Sequence, residues 1–185
     1  GFMMAAATSG HGAHGGLAAL AHLAAHALFK SLLFLAAGAI ALSLHGVPDI
    51  RRLAGFHRRM PWTAAALVIG ALGLAGIAPF AGFFSKDAVL SVVAVHHPFD
   101  AFVLYLASIV TAFYAARLVT VLMLAPGLTH ETARDPDTVM LTPMGLLAAG
   151  TLGAGVSLGT FLPFAIHVNA IIIASLIGPV LAAGA

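Results

Sequence analysis

Apolar residues run along this chain in long unbroken stretches, and short polar clusters mark where each one stops. Residues 1–8 are apolar and end at Thr8-Ser9-Gly10-His11-Gly12, a turn-like cluster, so a short helical stub opens the chain. The next apolar stretch extends from about Gly15 or Gly16 to Leu44, enough to cross about 30 Å of hydrocarbon with some tilt. Further apolar segments cover 61–95, about 101–124, 139–161 and 164–183, parted by 45–59, 96–100, 126–138 and Pro163. The runs are continuous and do not alternate in twos, which argues against a transmembrane β-barrel. The pattern predicts an all-α polytopic bundle of about five spans plus the N-terminal stub, in a single transmembrane domain over 1–185.

One segment departs from an ordinary span. Within 61–95, Gly76, Pro79 and Gly82 weaken or interrupt the backbone ladder, because Pro lacks an N–H and Gly does little to hold a helix. Lys86 and Asp87 follow at once, at a depth where a charge costs roughly 2.5–3.5 kcal/mol or more. A discontinuous helix beside a buried charge marks an ion pathway.

Composition narrows the class. The chain has 185 residues, of which 61% are hydrophobic and 8% charged, far below the roughly 25% of soluble proteins. Mean hydropathy is +1.06. No cysteine is present, which removes disulfides, thiolate metal sites and Fe–S clusters. The net charge of +2 is scattered or confined to one short loop and gives no footing for nucleic acid. That loop, 45–59, holds Arg51, Arg52, Arg58 and Arg59, so the positive-inside rule turns it to the cytoplasm. Loop 96–100 has neither Lys nor Arg and is expected outside, and alternation then puts 126–138 inside. Trp62 is expected to anchor its span at the interface. The opening Gly1-Phe2-Met3-Met4 has no basic n-region or cleavage site and reads as the tail of a helix, so a longer parent chain is expected.

His22, His26 and Lys30 recur at four-residue spacing in the first full span. Each step of four drifts about 40° and climbs about 6 Å, so the three share one face. Imidazole accepts on one nitrogen and donates from the other near neutral pH, as a proton relay requires. Two plainer roles compete: a packing hydrogen bond for each His, or a metal or haem bound by the pair, for which no third ligand type is evident. For Lys86 the plainer role is a static ion pair or snorkelling. Asp87 points about 100° away from it on a helix, so its partner is expected elsewhere. Arg117, near the inner end of its span, is expected to snorkel to the interface. His11, His14, His96 and His97 read as solvated, and His167 takes no role. Phosphate loops, nucleophile elbows and paired catalytic carboxylates are absent from the sequence.

The run from His22-Leu23-Ala24-Ala25-His26 through Lys30 to Gly38 resembles the second half of the antiporter-like, proton-conducting membrane subunits. So do Arg59-Met60-Pro61 and Gly76-Ile77-Ala78-Pro79-Phe80-Ala81-Gly82-Phe83-Phe84-Ser85-Lys86-Asp87. Respiratory complex I, Mrp-type antiporters and membrane-bound hydrogenases share this family. The phrase Gly-Phe-Phe-Ser-Lys-Asp is most like the large distal L-type subunits of bacterial complex I, and Thr111 to Arg117 is similar to the helix that follows. The resemblance covers about 16–125 and is looser over 126–185; Ala25 stands where the family usually has Thr.

The resemblance implies half of an inverted-repeat fold and a role in proton translocation within a redox-driven NADH–quinone oxidoreductase. His22, His26 and Lys30 would lie on a central polar axis, Lys30 being the connecting lysine. Lys86, followed by Asp87, would release protons from the outward half-channel. The chain would bind no cofactor itself: NADH, FMN, Fe–S clusters and quinone would sit on partner subunits of a bacterial inner-membrane complex. An Mrp-type antiporter or hydrogenase subunit is the alternative, and a quinone-site or structural partner subunit a third reading.

Overall fold

The computed structural model describes residues 1–9, 13–43, 55–124 and 134–161. All regular structure among them is helical: α1 (Phe2–Ser9), α2 (Ala13–Ser43), a 3₁₀ turn (Phe56–Arg58), α3 (Pro61–Ala75), α4 (Ala81–His96), α5 (Pro98–Leu124) and α6 (Thr138–Phe161). Three of these, α2, α5 and α6, are long and apolar enough to cross a membrane. At 15 and 16 residues, α3 and α4 are each about 22–24 Å long and fall short of the hydrocarbon thickness. End to end they form the discontinuous segment expected at 61–95. The expected fifth span at 164–183, and most of the loops at 45–59 and 126–138, lie outside the described residues.

Two boundaries differ from the reading of the sequence. The loop expected at 96–100 shrinks to His97, because Pro98 occupies the first position of α5, where a missing N–H costs nothing. Asp100 then sits in the first turn of α5, where a carboxylate complements the helix dipole. Gly82, expected in the break, lies in the first turn of α4 instead.

The break itself has local causes. Gly76 takes φ +80°, a left-handed conformation that closes α3. Its N–H donates to the Gly73 carbonyl and the Ile77 N–H to the Leu72 carbonyl, both at 3.1–3.2 Å, the paired bonds of a Schellman cap. Pro79, after a cis peptide bond, cannot extend the ladder, and an extended Phe80 leads into α4.

The other end of α3 is capped from a distance. No side chain of Met60, its N-cap residue, serves the open amides. Asp135 does: its carboxylate accepts from the Trp62 and Thr63 N–H groups at 3.2 and 3.0 Å and from Thr63 Oγ1 at 2.7 Å. Ser43, the last residue of α2, donates to the Arg134 carbonyl and accepts from its N–H. The Gly55 N–H donates to the Leu122 carbonyl near the end of α5. The C-terminal ends of α2 and α5 and the start of α3 and α6 therefore gather at one end of the bundle. The largest apolar cluster is there, built on Leu32, Met60, Leu67, Leu122 and Met144. A second joins α1, α2 and α4 through Ala6, Ala18, Val89 and Val93.

Candidate functional site

The break exposes carbonyls that a continuous helix would pair, and Lys86 occupies that position. Its side chain, 6% exposed, runs back along α4 to the end of α3. Nζ donates to the Leu74 carbonyl at 2.7 Å and the Ala75 carbonyl at 3.3 Å. These belong to the negative end of the α3 dipole, where a cationic side chain completes the cap. An ammonium has three protons, and the two carbonyls take two. The third can leave while both bonds persist, since a neutral amine still has two N–H groups.

The two half-helices meet without side chains between them. A Cβ on Gly82 would run into the Gly73 carbonyl, so only glycine permits this approach. Phe29, fully buried on α2, packs against the same junction with Ala25, Leu74 and Ala81. α6 also reaches the junction through Gly155, whose Cβ would meet the Pro79 carbonyl and the Ala81 nitrogen.

His22, 4% exposed, joins this junction from α2: Nδ1 lies 3.1 Å from Ser85 Oγ. Ser85 is fully buried and lies 3.3 Å from the Gly82 carbonyl, to which its hydroxyl can donate. The His22 ring stands 5.5 Å from Phe2 of α1 and 6.0 Å from His26, centroid to centroid. His26 is half-buried and meets Phe29 edge-on at 5.2 Å.

Lys30 points elsewhere. Half-buried, its Nζ lies 5.7 Å from the centroid of the exposed Phe34 ring. It lines an apolar groove of about 400 Å³ between α2, α3 and α5, with Leu33, Leu74, Tyr114 and Leu118. Leu74 thus takes part in both places, its carbonyl bonded to Lys86 and the residue itself lining the groove of Lys30. Asp87 is 8% exposed and, among the described residues, bonds neither Lys86 nor any other side chain. Arg117 and Trp62 are exposed.

The structure therefore brings His22, Ser85 and the Lys86 segment together at the break, links His26 to His22 by ring contact, and sets Lys30 in the neighbouring groove. Sequence reasoning passed over Ser85, although it adjoins Lys86 in the quoted motif. It also passed over the Leu74 and Ala75 carbonyls, Gly155 and Asp135, whose contacts join distant positions.

Comparison with known proteins gives a consistent picture. A family model described as the transmembrane region of NADH:quinone oxidoreductase/Mrp antiporter subunits matches residues 1–114. Over 157 residues, 84% of this chain and 26% of the relative, the chain is 41% identical to NADH-quinone oxidoreductase subunit L of Campylobacter jejuni. It is 34% identical over 171 residues to subunit L of Rhodobacter capsulatus, covering 84% of this chain and 24% of that protein. NADH-ubiquinone oxidoreductase chain 5 of Mycosarcoma maydis is 37% identical over 138 residues, 70% of this chain and 20% of its own length. The chain spans about a quarter or less of the length of these relatives.

Proposed function

Because the chain belongs to the NADH:quinone oxidoreductase/Mrp antiporter membrane family, we propose that it carries part of a proton path through a proton-translocating subunit of NADH–quinone oxidoreductase. The names of its relatives favour this complex over an antiporter. In this reading Lys86 is the group that takes up and releases the proton at the helix break. His22 and His26 pass protons along α2, and Lys30 continues the polar face into the groove that α3 and α5 complete. Asp87, buried beside Lys86, serves as a second titrating group. Partner subunits supply NADH oxidation and quinone reduction, with FMN and Fe–S clusters bound there and none on this chain. The membrane is the bacterial inner membrane, with loops 45–59 and 126–138 cytoplasmic and the gathered end of the bundle, where residues 55–59 and 134–138 lie, on that side.

One observation carries the proposal: a buried amine held by two backbone carbonyls that leave its third proton unassigned. The test is NADH-driven proton flux in proteoliposomes holding the complete complex. Lys86→Ala in the full-length subunit is expected to lower flux at least tenfold per assembled complex. Flux at the wild-type rate would remove Lys86 from the path.

A further inference from the structure

We infer that Ser85 is a positioning residue for the proton path, setting which nitrogen of His22 carries the exchangeable proton. The inference rests on the relay reading of His22 and deepens it. Ser85 has one proton and two acceptors within reach, His22 Nδ1 at 3.1 Å and the Gly82 carbonyl at 3.3 Å. When Nδ1 bears a lone pair, the hydroxyl donates to it. When Nδ1 bears a proton, Ser85 accepts, and its own proton turns to the Gly82 carbonyl. Either way Nδ1 is engaged, and Nε2 is left as the nitrogen that binds and releases a proton.

A hydroxyl that serves only to satisfy its own helix would need no imidazole partner. Ser85 has one, from a residue 63 positions away, with both side chains buried. The carbonyl it alternates with is the one the α-helical pattern pairs with the Lys86 N–H. That carbonyl belongs to Gly82, the residue pressed against Gly73 across the break. The proton state of His22 is thereby tied by one hydroxyl to the first turn of the helix that carries Lys86. Among the described residues, the titratable groups around His22 are few. His14, His26 and Lys30 share its helix, the amino group of Gly1 precedes α1, α4 brings Lys86 and, about 100° round, Asp87, and α1, α3 and α6 carry no titratable side chain.

The experiment is a double-mutant cycle in the assembled complex, read as NADH-driven proton flux per complex present. Ser85→Ala is expected to lower flux about threefold to tenfold, the scale of one buried hydrogen bond. Ser85→Cys, of similar volume but a weak donor, is expected to fall with it, and Ser85→Thr, which keeps the hydroxyl, to recover at least half the flux. In a His22→Gln background, Ser85→Ala is expected to cost nothing more. The same fractional loss in both backgrounds, or Ser85→Thr as impaired as Ser85→Ala, overturns the inference. Wild-type flux in Ser85→Ala beside impaired His22→Gln overturns it alone, whereas wild-type flux in His22→Gln overturns the relay reading as well.

Discussion

Replacing Lys86 by arginine separates two roles that lysine combines. A guanidinium keeps the charge and can cap the Leu74 and Ala75 carbonyls, yet it does not deprotonate in proteins. Lys86→Arg is therefore expected to assemble near the wild-type level while losing at least tenfold in proton flux; retained flux would reduce Lys86 to a helix cap. At this scale much was legible in the sequence. The four-residue spacing of His22 and His26 and the charge after Pro79 are local features, and local features survive in a single sequence. Ser85 was not legible as a partner of His22, because their contact spans 63 positions and follows from how α4 crosses α2. Lys30 shares the predicted face of α2, but that face is wide enough for its amine to turn into the groove beside Phe34.

Helices depend on one another here through small residues and borrowed caps. Gly155 of α6 touches backbone at the break, and backbone cannot yield as a flexible side chain does. Gly155→Ala is expected to destabilise the bundle by about 1–3 kcal/mol, lowering the melting temperature of the detergent-purified complex. Gly153, with open space around its Cα, is the control: Gly153→Ala is expected to change little. Asp135→Ala leaves the Trp62 and Thr63 amides without their carboxylate and is expected to cost about 1 kcal/mol, most of it recovered by Asp135→Asn. The break near Gly76 and Pro79 could be read from residue type alone, since each forbids a regular helix by its own backbone chemistry. Asp135 looked like one more loop charge, because a cap supplied across 72 positions leaves no trace in periodicity.

For the whole molecule, the bonds from Ser43 to Arg134, Thr63 to Asp135 and Gly55 to Leu122 place two sequence-distant connections at one end, and His97 at the turn between α4 and α5. The chain has no cysteine, so single cysteines report sidedness cleanly. Arg58→Cys and Asp137→Cys, both exposed, are expected to react with an impermeant maleimide from the same side of the membrane, and His97→Cys from the other. Labelling of all three from one side contradicts the arrangement. Long apolar runs made the helices legible up to the end of α6, whereas the clasp that orders their ends required coordinates. One further consequence lies in α3. An anion from another part of the chain grips its start and a cation from α4 its finish, so the short rod behaves as a bar magnet between two poles. Removing charge from one pole weakens the hold on the dipole within that end's own turn, while the other end keeps its grip.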